Sequence, residues 1–223
     1  MLGIGCSQES EPDEEQGNTV PPRMEQHAAP VAGVDEAGRG CLAGPVVAAA
    51  VVLPEGAQLP GLNDSKRLSP ATRTFLAERI KAEALAWSLG LSWPREIERI
   101  NILQATHRAM LKAVRLLRVR PAFVVVDGNS APDFAVSQSC IPGGDGCVPS
   151  ISAASIVAKT FRDALMEKLD SKYPGYGLKK HKGYGTKAHI ESLRRLGPSP
   201  LHRRTFGPVS QCLEEGQLWL PGI

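Results

Sequence analysis

Residues 31–56 read VAGVDEAGRGCLAGPVVAAAVVLPEG, two apolar runs joined by a glycine-rich turn. VAGVD predicts a strand, and PVVAAAVVLPEG predicts a second, mostly buried strand closed by a Pro/Gly turn. The linking GRGCLA satisfies G-x-G-x-x-G/A, the dinucleotide fingerprint. That fingerprint needs a helix to begin at the turn, so that its N-terminus faces a pyrophosphate. Here Gly44-Pro45 and a valine-rich run follow, which is strand chemistry and argues against a nucleotide cofactor. The chain therefore opens on a hairpin-like pair of strands, with Asp35 and Glu36 where the first one ends.

Beyond this pair, Ser69-Pro70 offers an N-cap with proline at the first helical position and predicts a helix over roughly 70–84. AWSLGLSW predicts a strand. Ile97, Ile100, Leu103, Met110, Leu111, Val114 and Leu117 recur at helical spacing, predicting one long amphipathic helix that stops before Pro121. AFVVVDGN is a short buried strand that ends at Asp127-Gly128. A loop rich in Gly, Ser and Pro leads to a helix over SAASIVAKTFRDALMEKLD, and KAHIESLRRLG is read as the last helix, stopped by its glycine. The fold class is α/β, a mixed sheet flanked by helices. Residues 1–28 are polar and unpatterned and are read as a disordered acidic tail, leaving one domain over 29–220.

Composition narrows the chemistry. No apolar run nears the roughly 20 residues a membrane span needs. Five scattered cysteines without a C-x-x-C pair argue for a reducing, cytoplasmic setting and against a disulfide framework or zinc site. The net charge of +3 hides an asymmetry, because residues 1–28 hold six acids against the single base Arg23. From Lys172 to Arg204 nine bases face one acid, Glu191, which predicts a polyanion-binding surface.

Asp35-Glu36 and Asp127 share a setting, each where a buried strand runs out. Ligand crevices in open α/β sheets lie beyond the carboxyl ends of strands. Carboxylates gathered there repel and raise one another's pKa, which a hard divalent cation such as Mg²⁺ or Mn²⁺ resolves. Adjacent residues on a regular strand face opposite ways, so both acids serve one site only if the chain bends, which AGRG permits. Asp145, on the glycine loop GGDGCV, is a fourth candidate. An acid at a strand end ordinarily caps a turn; several in matching contexts favour a metal site. Two hard cations together suit phosphodiester hydrolysis, and the basic segment suits a nucleic-acid substrate.

GVDEAGRG, GLNDSKRLS, NIL, VVVDGN, ISAASIVAK, HKGYGT and HRRTFGPV occur in this order between about Val31 and Val209. On these motifs the chain resembles bacterial ribonuclease HII. The resemblance implies an RNase H-like domain with a basic, helical C-terminal segment over about 170–212. It implies an endoribonuclease that cuts the RNA strand of RNA–DNA hybrids and incises 5′ of single ribonucleotides in duplex DNA, leaving 3′-hydroxyl and 5′-phosphate ends. Asp35, Glu36, Asp127 and Asp145 match the catalytic acids that hold two Mg²⁺ or Mn²⁺ ions. Gly38-Arg39-Gly40 matches the element that reads the ribose 2′-hydroxyl, Tyr184 the tyrosine packed on the sugar beside the junction, and Lys66 and Lys159 positions near backbone phosphates. Asp163 is read as a structural partner, and the histidines as non-ligands. One departure is Gly143, where the family often carries a lysine. A monomer acting on hybrid or ribonucleotide-containing duplex is expected. The rivals are a related metal nuclease acting on DNA, and a hybrid-binding module without catalysis.

Overall fold

The computed structural model describes residues 30–62 and 68–217. A five-stranded sheet runs in the order β3-β2-β1-β4-β5. Its strands are β1 Val31–Ala37, β2 Val46–Val52, β3 Ala86–Ser92, β4 Phe123–Asp127 and β5 Ser137–Ile141. β1 pairs antiparallel with β2 and β2 with β3, whereas β4 joins β1 in parallel and β5 joins β4 in parallel. The glycine turn thus closes a true hairpin, and the valine-rich β2 is buried throughout because both sheet faces are covered.

Even-numbered residues of β1 (Ala32, Val34) share one core with α2 (Pro94–Arg115), through Ala105, Ala109, Met110 and Ala113. The opposite face carries α1 (Pro70–Glu83) and α3 (Pro149–Lys172) over Ala37, Ala49 and Val51. Gly33 belongs to that second face. A methyl group there would collide with the backbone of Ser150 and Ile151, so the first turn of α3 lies directly on β1. Short helices α4 (Leu178–His181), α5 (Lys187–Leu196) and α6 (Gly207–Gln217) complete the described residues.

Three expectations need correction. The long helix is broken at Asn101, whose φ of 66° and ψ of 168° are not helical. Asparagine tolerates positive φ better than most residues, and Asn101 Oδ1 accepts the Gln104 N–H at 3.0 Å, capping the second half. Within the Gly/Ser/Pro loop lies β5, an edge strand of sequence SQSCI in which only Ile141 is fully buried, so no apolar alternation announces it. KAHIESLRRLG is not the last helix, since α6 begins at Gly207-Pro208, a dipeptide that reads as a turn yet suits a helix N-terminus.

Candidate active site

Val34 pairs with Val126, so Asp35 and Asp127, one step further on, occupy neighbouring positions at the carboxyl ends of parallel β1 and β4. Both lie on the α3 face by alternation with Gly33, Phe123 and Val125. Asp145 comes from the 3₁₀ turn Gly144–Gly146, held against α3 by the Ser152 hydroxyl, which donates to the Asp145 carbonyl. One oxygen of each of these three carboxylates lies within 4.8 Å of the others.

Asp35 is 5% exposed. Its burial, then the charges of Glu36 and Asp127, push its carboxyl well above the ordinary carboxylate range, against hydrogen bonds from the Ser155 hydroxyl and the Glu36 N–H. Burial of a carboxylate beside other acids produces such a shift. The donor set fits a hard divalent cation, being carboxylate throughout.

Glu36 stands outside this group of three. β1 stays regular to Ala37, with Asp35 opposite Ala49 and Glu36 opposite Ala48, so the bend expected after Asp35 is absent. Alternation therefore sets Glu36 off from the three aspartates, though its charge still bears on Asp35. Its carboxylate meets the Arg39 guanidinium at 3.2 Å, at the rim.

Gly38, Arg39 and Gly40 form the turn beyond β1. Gly38 has φ 93° and packs so tightly on the Arg162 side chain that a Cβ would overlap it, two reasons for glycine here. Tyr184, 42% exposed, lies beside Cys41, just past that turn. Lys159 Nζ sits 5.4 Å from the Tyr184 ring centroid and 2.7 Å from Asp163 Oδ1. Asp163 also meets Arg73 at 3.4 Å, so it is a structural partner that holds Lys159 beneath the tyrosine. Lys66 lies outside the described residues.

Lys172, Lys179, Lys180, Lys187, Arg194, Arg195 and Arg204 are exposed. Arg203 is 0% exposed and does not contribute to this basic surface. Sequence reasoning also passed over Ser155, which the alternation of small residues in ISAAS conceals. His189 and His202 bond to each other rather than to the acids.

A mixed sheet of this order, with acids converging at the ends of two parallel strands, defines an RNase H-like nuclease. The family model described as ribonuclease HII matches residues 32–209. The ribonuclease HII of Nitratidesulfovibrio vulgaris is 55% identical over 221 residues, spanning 90% of this chain and all of that protein. That of Oleidesulfovibrio alaskensis is 48% identical, spanning 89% of this chain and 88% of its own. Among solved structures, the ribonuclease H2 of Pyrococcus horikoshii superposes with a TM-score of 0.71 at 29% identity, covering 84% of this chain and 99% of that one. The chain belongs to the ribonuclease HII family, and it is a metal-dependent endoribonuclease.

Proposed function

We propose that the protein incises RNA–DNA hybrids, and duplex DNA carrying single ribonucleotides, on the 5′ side of a ribonucleotide, leaving 3′-hydroxyl and 5′-phosphate ends. The convergence of Asp35, Asp127 and Asp145 within 4.8 Å, beside a glycine turn and an accessible tyrosine, carries the reading. Asp35, Asp127 and Asp145 would hold two Mg²⁺ or Mn²⁺ ions. Glu36 would be the fourth acid, released from Arg39 when that guanidinium forks onto a substrate phosphate. When bound, such ions lower the pKa of a water and neutralise the leaving oxygen.

The other groups select and orient. Backbone groups of Gly38-Arg39-Gly40 approach the ribose, whose 2′-hydroxyl separates RNA from DNA. Tyr184 packs on the next sugar, with Lys159 behind its ring. Lys66 and Lys159 would contact backbone phosphates once substrate is bound, and the exposed bases of 172–204 would dock the duplex through an electrostatic attraction that salt weakens.

We also place the protein in the cytoplasm as a monomer. The described cysteines are free, and no helix among the described residues is long and apolar enough to cross a membrane. The deciding assay compares a duplex containing one ribonucleotide, a long hybrid and an all-DNA duplex, in Mg²⁺, in Mn²⁺ and in EDTA. Metal-dependent cutting at the ribonucleotide alone supports the reading; equal cutting of all-DNA duplex would overturn it.

A further inference from the structure

Arg162 and Arg203 are both 0% exposed. Among the described residues neither is paired with a carboxylate. Burying a cation without an acid costs several kcal/mol unless its donors are satisfied, so their partners say what they are for. Arg203 donates from Nη2 to the Gly38 carbonyl and from Nη1 to the Arg39 carbonyl, each at 2.7 Å, and from Nε and Nη2 to the Gly44 carbonyl at 3.1 and 3.0 Å. In a trans peptide the C=O and the following N–H point opposite ways. Anchoring the carbonyls of Gly38 and Arg39 on Arg203 therefore turns the N–H groups of Arg39 and Gly40 outwards, as donors on the far side of the turn.

The neighbouring His202 reaches the other reading element. Its backbone bridges Ala43. The Ser199 N–H donates to His202 Nδ1 at 3.0 Å, so the proton of a neutral ring sits on Nε2. That nitrogen donates to His189 Nε2 at 3.1 Å, which leaves His189 Nδ1–H to donate to the Tyr184 carbonyl at 2.9 Å. Burial pushes both imidazoles towards their neutral forms, which this chain of bonds requires. Two direct rungs close the assembly: the Leu42 N–H donates to the Gly183 carbonyl, and the Arg203 N–H donates to the Leu42 carbonyl. Arg162 braces it from α3, donating to the carbonyls of Ala43, Pro45 and Lys182.

We infer that the adjacent residues His202 and Arg203 hold the Gly38–Gly40 turn and the Tyr184 turn in one fixed register, as positioning residues for ribonucleotide selection. The inference rests on the reading of those two turns given above. Neither side chain touches substrate; both act through the backbone of groups that do. A guanidinium suits the place because its rigid planar fork makes four bonds to three carbonyls from three separate nitrogens, whereas an ammonium offers three donors on one atom.

The test is a double-mutant cycle in the full chain, with single-turnover cutting of a duplex carrying one ribonucleotide. Arg203→Lys keeps the charge and loses the fork. It should slow cutting at saturating enzyme by roughly ten- to a hundredfold, the scale of a 1 Å misplacement. Affinity for an all-DNA duplex, which the exposed lysines and arginines govern, should change less than about threefold. In the Tyr184→Ala background the same change should cost far less, because the register it protects has already lost one member. A double variant as slow as the product of the two single effects overturns the inference, as does Arg203→Lys cutting at the wild-type rate. Tyr184→Ala cutting at the wild-type rate removes the reading of that turn and the inference with it, a distinguishable result. Should Arg203→Lys fail to fold by circular dichroism, His202→Gln replaces it in the cycle with the same two outcomes.

Discussion

Asp35, Asp127 and Asp145 bring three acids within 4.8 Å of each other, whereas Arg162 and Arg203, more deeply buried, give their donors to backbone carbonyls. In the first, burial and neighbouring acids raise the proton affinity of Asp35. The second is complete and brings together segments far apart in sequence. Buried charge thus does two jobs here: a group of acids offers a cation its ligands, and a saturated pair of guanidiniums fixes geometry. The two meet at the turn beyond β1, where Asp35 ends one cluster and Gly38 begins the other.

Each cluster can be broken separately. The largest effect is expected for Asp127→Asn, which removes a charge from the acid cluster: cutting of a ribonucleotide-containing duplex should fall by a factor of about 10³ or more, with affinity nearly unchanged. Near-wild-type turnover would dissolve the contrast. Next comes acid. Burial and then the neighbouring His189 lower His202 to about 4, below the ordinary value near 6.5. A base depressed in the folded state stabilises fully above its unfolded pKa, and that contribution is lost as pH falls from about 6.5 towards 4. The loss should reach about 3 kcal/mol by pH 4. His202→Gln should flatten that part of the stability curve, measured by urea unfolding at each pH; a curve parallel to wild type would show the imidazole is not held neutral.

Tyr184→Ala should slow junction cutting by roughly ten- to thirtyfold while shifting stability by less than about 1 kcal/mol, since a partly exposed ring adds little to the core. Equal losses in a melt and an assay would make it a packing residue. The smallest effect has the opposite sign. Asp35→Asn removes one of several converging charges and should raise stability in EDTA by about 1 kcal/mol while abolishing cutting. A destabilised variant would mean that the acids are not in mutual conflict.

The sequence made the first cluster legible and left the second hidden. Acids at the ends of apolar strands can be seen in a string of letters, because alternation and strand length place them. Asp35 and Asp127 follow from that alone, and Asp145 only from its glycine loop and the family motif. The position of Glu36 does not follow, because the string cannot say whether AGRG bends the strand or continues it; the strand continues. Composition counts Arg203 with the basic surface, since it does not separate a solvated guanidinium from one enclosed by carbonyls of the β1–β2 turn, with Gly38 lying 165 positions earlier in the chain. The break at Asn101 and the edge strand β5 do not follow for a related reason: the first depends on a local cap and the second on pairing with β4, neither of which apolar periodicity announces.

Position 33 shows how little separates these layers. With hydrogen where other residues carry carbon, the main chain of β1 touches that of Ser150 and Ile151, two residues before Asp35 and five after Asp145. Glycine there acts as a shim of zero thickness. Any thicker one would lift the start of α3 and carry Asp145 away from its partners, so the usual gain in rigidity from replacing glycine by alanine is closed to this protein at that point.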